Sequence, residues 1–205
     1  MGWTGLYTAD APQSYSEEKQ HLVDEYTYSN KDVTSEVLAI SKVGSVWYMA
    51  VKISGNLSKT RWDEIYAIED DSFVYGNVVM TNRSNGEWQY KCIAETAGPV
   101  DAKAPQKILK LLSPIVEDST TAKWAIKWRD NCVKSTASTK MIKSLKIGDR
   151  LKLKSPVMFG DIPVTEVTVS HYRTRRSVRR CYSHPSVGLL RLCAEHLDGV
   201  ELIND

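Results

Sequence analysis

The sequence predicts an α+β protein: an antiparallel β-meander with packed helices, followed by a small basic β module. Three observations carry this. Through residues 33–94 apolar side chains recur at period two with no helical stretch between the runs, which favours hairpins over βαβ units. Residues 105–132 switch to helical spacing, with Ile108, Leu111 and Leu112 on one face and Trp124, Trp128 and Cys132 on another. The charge then changes sign: residues 1–139 carry 15 Lys+Arg against 18 Asp+Glu, net −3, and residues 140–205 carry 12 against 7, net +5. Small polar residues at 135–139 read as a linker. The expected division is therefore an α+β domain at 1–134, a linker at 135–140 and a basic module at 141–205.

Taken in order, residues 1–13 are expected to be extended, with Trp3, Leu6 and Tyr7 docked on the core. Ser14 and Glu17 stand at capping-box spacing and predict a helix to about Tyr28. Its His21 reads as a surface or core-edge residue. Val37 to Ile40 form a strand, Gly44 turns, and Trp47, Met49, Val51 and Ile53 mark the buried face of the next strand. Residues 64–68 and 73–81 are expected as two further strands, separated by Glu69, Asp70 and Asp71. That acidic run reads as a solvated turn, with cation binding as the alternative. Asn85 and Gly86 turn into a strand with Trp88, Tyr90 and Cys92 on one face. Pro105 opens a short helix and Pro114 closes it. Asp118, Ser119 and Thr120 cap the next helix, whose Trp124, Trp128 and Cys132 stripe is expected in the core against the Trp88 to Tyr90 strand or its neighbours.

In the last 65 residues, Gly148 and Asp149 turn between alternating apolar positions, and Pro156 and Gly160 punctuate. Residues 164–172 and 177–182 form a hairpin, and 189–192 and 200–203 are placed to close a sheet. Short strands at this spacing around an Ile-Gly-Asp turn resemble a small SH3-like barrel. That fold hosts many functions and assigns none.

Several segments resemble a family of uncharacterised proteins of phages and mobile elements. They are the opening Met1, Gly2, Trp3 and Thr4, the Gly98 and Pro99 pair, residues 105–114 (Pro-Gln-Lys-Ile-Leu-Lys-Leu-Leu-Ser-Pro), and Trp124 with residues 128–132 (Trp-Arg-Asp-Asn-Cys). The family often carries an acidic cluster before the Gly-Pro pair, where this chain has Glu95 alone. The resemblance implies a domain of unknown function and a phage or mobile-element accessory role, with interference with host defence as one use.

Composition narrows the classes. No run approaches the ~20 apolar residues of a membrane span, and no signal-peptide pattern opens the chain, so a cytoplasmic protein of the host cell with no membrane partner is expected. Four Cys in 205 residues do not make a disulfide scaffold. There is no nucleophile elbow, phosphate-cradling Gly loop or His-Glu helix motif, and the expectation is a non-enzymatic binding protein. A small enzyme with a site near Glu95 and Gly98 is the rival.

Charge is the sharpest feature. Residues 140–180 hold 11 Lys+Arg against 3 Asp+Glu, net +8. Arg173, Arg175, Arg176, Arg179 and Arg180 crowd one hairpin, flanked by Tyr172 and Tyr182. Guanidinium forks match phosphate geometry and an adjacent ring can stack on a base. These residues are the candidate nucleic-acid or polyanion-binding set, with a host or phage protein as the other partner class and a solvated or ion-paired hairpin as the plain alternative. A second feature is Cys181, His184, Cys193 and His196, a paired Cys-x2-His arrangement. Two Cys and two His suit a structural zinc ion; no other cofactor is expected.

Overall fold

The structure is a computed structural model describing residues 2–57, 61–116, 119–175, 177–193, 196–197 and 199–203. It is broadly α+β, with two antiparallel sheets in two compact units, Met1–Val133 and Lys134–Asp205.

The first unit is built on six strands: β1 (Thr4–Leu6), β2 (Tyr28–Ser29), β3 (Val33–Val43), β4 (Val46–Gly55), β5 (Ser72–Ser84) and β6 (Glu87–Ala94). They lie in the order β1-β6-β5-β4-β3-β2, all antiparallel. Asn85 and Gly86 both take positive φ, 52° and 79°, and close the β5–β6 hairpin. That is the two-residue turn whose twist matches the strands it joins.

Both faces of this sheet are covered. From β4, Trp47, Met49, Val51 and Ile53 enter one cluster with Trp88, Tyr90 and Leu22. Leu22 belongs to α1 (Tyr15–Tyr26), whose first turn is capped by Ser14 Oγ accepting from Glu17 N. The alternate residues Val46, Tyr48 and Ala50 enter a second cluster with Val78, Ile108, Trp128 and Cys132. Ile108 comes from α2 (Gln106–Leu109), and Trp128 and Cys132 from the first half of α3 (Thr120–Ser144). The alternation along β4 is thus between two apolar sets, as in a strand covered on both sides.

Three expectations are corrected here. Trp124 stands 39% exposed, whereas Trp128 is buried as expected, against Val46, Tyr48 and Ala50 of β4 and Val78 of β5 on the face opposite Trp88 and Tyr90. Residues 64–68 are not a strand. Arg61–Glu64 is a 3-10 turn that continues with Tyr66 N donating to Trp62 O at 2.8 Å. It brings Tyr66 onto Phe73, ring centroids 4.6 Å apart, and that aromatic packing outweighs the strand propensity. The expected linker at 135–140 is continuous helix within α3. No Gly or Pro occurs between Pro114 and Gly148, so nothing breaks the hydrogen-bond ladder, and Ser, Thr and Ala carry it at small cost. Ser119 supplies the cap, its Oγ accepting from Ala122 N at 3.0 Å, while Asp118 lies outside the described residues.

The second unit is a curled half-barrel of β7 (Arg150–Phe159), β8 (Ile162–Arg173), β9 (Val178–His184), β10 (Gly188–Leu190) and β11 (Glu201–Ile203), in the order β10-β9-β8-β7-β11. Leu151, Val164, Val167, Val169, Tyr182 and Leu190 fill its inner face. The β7–β8 register shifts between Lys152 and Val157, where Pro156 has no N–H to give to a ladder.

Candidate functional site

The β8–β9 hairpin pairs Tyr172 with Arg179, His171 with Arg180 and Arg173 with Val178. Directly paired residues share a face. Tyr172 and Arg179 therefore stand on one side, and His171, Arg173 and Arg180 on the other. Arg173, Arg175 and Arg179 are exposed, and Arg176 lies outside the described residues.

Arg180 has a different task from the one its charge suggests. Its guanidinium donates to Leu145 O at 3.0 Å and to Ile142 O. Those carbonyls lie at the C-terminal end of α3, where acceptors lack helical partners and the helix dipole is negative. Arg180 is a helix cap.

The cation that the sequence reading passed over is Arg191, just after β10. One of its nitrogens donates to Tyr172 Oη at 2.5 Å, and its guanidinium carbon lies 5.2 Å from the centre of the Tyr172 ring. Tyr172, Arg179, Arg180, Tyr182, Arg191 and Leu192 line a cavity of about 240 Å³, with no carboxylate among the described residues of its wall. Among the described residues, Arg173, Arg175, Arg179, Arg180 and Arg191 form no ion pair with Asp or Glu, whereas Arg150 meets Glu166 at 3.1 Å. An ion-paired hairpin is therefore not what the described residues form. The signal for Arg191 is spatial: it stands eleven positions beyond the cluster in sequence and is returned to it by the short β10.

The four candidate zinc ligands are not gathered. Cys193 Sγ and His196 Nδ1 lie 3.2 Å apart, but Cys181 is buried in β9, and His184 Nδ1 accepts from Ser186 N at 3.2 Å. Residues three apart on a strand point to opposite faces, so the Cys181-x2-His184 spacing divides the pair across β9. Among the described residues no group of three or more His, Cys, Asp or Glu side chains is placed to hold a metal ion.

Glu95 lies fully buried, not in a cleft. Its Oε1 accepts from Tyr66 Oη at 2.9 Å, Gly76 N at 3.0 Å and an Arg129 nitrogen at 2.8 Å, and Oε2 accepts from Arg129 Nε at 2.8 Å. Burial, and next the Glu95 charge, push the Tyr66 hydroxyl well above its ordinary pKa. Arg129 also donates to Ser113 O at 2.7 Å. Every polar group in this cluster has a partner, as an ion pair of this depth requires. The nearby cleft at Gly98, Pro99 and Trp124, about 140 Å³, does not include the carboxylate.

No curated protein and no solved structure matches the chain. Residues 119–194 match the model of a domain of unknown function, DUF6927, a stretch that begins one residue before α3 and ends just past the Arg191 segment.

Proposed function

We propose that this chain is a non-enzymatic accessory protein that binds nucleic acid through the arginine-rich face of its C-terminal unit. The observation that carries the reading is the grouping of Arg179 and Arg191 at Tyr172, with no carboxylate among the described residues of their cavity wall. Guanidinium groups that meet no carboxylate among the described residues, set around a concavity, suit phosphate oxygens. The curled five-stranded sheet is read as an SH3-like barrel serving as the scaffold. Carriage by a phage or mobile element rests on the resemblance of Met1 to Thr4, Gly98 and Pro99, and residues 105–114 to such proteins. Action in the host cytoplasm, including interference with a defence system, follows from that resemblance and is consistent with there being no described helix long and apolar enough to cross a membrane.

Gel-shift titration of the whole chain against DNA and RNA at two salt concentrations tests it. We expect binding that weakens steeply with salt, because each neutralised phosphate releases counterions. The Arg175→Ala, Arg179→Ala double variant should lower the salt slope by about one unit per lost phosphate contact. Its thermal midpoint should barely move, since exposed charges contribute about 0–1 kcal/mol. No shift by the wild type at low salt ends the nucleic-acid reading and leaves an acidic protein partner.

A further inference from the structure

We infer that the ligand is single-stranded, and that its backbone runs from the Tyr172 cavity into a second, larger cavity along β7, with Arg191 serving both. This rests on the nucleic-acid reading above. The second cavity, about 600 Å³, is lined by Lys154, Pro156, Met158, Phe159, Arg191 and His196 among others. Arg191 is in the wall of each cavity. Lys154, Arg191 and Arg179 thus follow one another along a path wholly within residues 134–205.

Three features choose the strand form. First, the rings at the first cavity are already engaged: Tyr172 is covered by the Arg191 guanidinium, and Tyr182 is 4% exposed in the core. Tyr172 is therefore a positioning residue that orients Arg191. Apolar contact with a base falls to the second cavity, where Met158 is 59% exposed and Phe159 is half-buried. Second, a duplex keeps its bases stacked inside and presents phosphates outside, leaving such apolar walls unmatched. A single strand supplies phosphate and base face together. Third, among the described residues β11 pairs β7 only at residues 150–152. Pro156 in β7 cannot donate to an added strand, which disfavours an extended peptide as occupant.

The test is fluorescence anisotropy of the whole chain with a labelled thymidine oligonucleotide of about 15 nucleotides, and with a labelled duplex of equal length. We expect the single strand to bind at least about tenfold more tightly than the duplex at the same salt. Lys154→Ala and Met158→Ala, both at exposed positions, should each weaken single-strand binding; losing the base contact at Met158 corresponds to about fivefold or more. Tyr172→Phe keeps the ring, loses the acceptor for Arg191, and should weaken the single strand less than Arg191→Ala does. Equal or tighter duplex binding overturns this inference and preserves the proposed function, as does single-strand binding indifferent to both Lys154→Ala and Met158→Ala. Failure of the wild type to bind either form removes the proposed function itself.

Discussion

Glu95 ties β5, α3 and the Tyr66 turn of the first unit together. It accepts four hydrogen bonds at zero exposure while its partner Arg129 is 20% exposed. We expect Glu95→Gln to cost about 3–5 kcal/mol, because it strands a largely buried guanidinium. A urea midpoint within error of the wild type would show that the pair is dispensable. Gly76 is bound to the same cluster by space. A Cβ built there would stand 2.8 Å from the Trp128 ring and 3.3 Å from Glu95 Oε2. Gly76→Ala should cost about 1–3 kcal/mol by overpacking, and Trp128→Leu in the same chain should recover part of that loss, a non-additivity measurable as a double-mutant cycle. The two tryptophans of α3 should separate as well: Trp128→Ala is expected to cost about 3–5 kcal/mol, and the half-exposed Trp124→Ala much less. At this scale the sequence spoke unevenly. The burial of Trp128 was legible from its helical stripe. The burial of Glu95 was not, because its partners Tyr66, Gly76 and Arg129 are 19 to 34 positions away.

Elements were the most legible level, and their failures have physical causes. The period-two runs became β3 to β6, and Ser14 does cap α1. Residues 64–68 failed because aromatic stacking on Phe73 favoured a 3-10 turn, and 135–139 failed because composition alone does not break a helix. Cys181 and His184 were read by spacing without reference to the strand that carries them, and the strand divides them. Arg180 shows the same dependence on context: a residue counted for its charge completes the end of α3. Arg180→Ala should lower the thermal stability of the second unit by about 0.5–2 kcal/mol, with Arg179→Ala near neutral. Far-ultraviolet circular dichroism melts of the two variants check this, and equal melting temperatures would remove the capping role.

For the molecule as a whole, the first unit is rich in buried phenols and thiols. Burial raises the hydroxyls of Tyr26, Tyr48, Tyr66 and Tyr75, and pushes Tyr90 and the Cys132 thiol up to about 12. In the unfolded chain these groups titrate near 9 to 10. Above that range the unfolded state gives up protons that the folded state retains, so stability falls as pH rises toward the folded values. We expect a lower urea midpoint at pH about 10.5 than at pH about 8; equal midpoints would contradict the burial of these groups.

The distribution of aromatic residues gives the two units different optical signatures. All six tryptophans lie before residue 134, and the second unit has only Tyr172 and Tyr182 as phenolic chromophores. Tryptophan emission therefore follows the unfolding of the first unit, and the arginine face has no tryptophan of its own. Ligand at the arginine face is therefore followed by the anisotropy of the labelled strand and by the emission of Tyr172 and Tyr182, in a unit free of tryptophan background of its own.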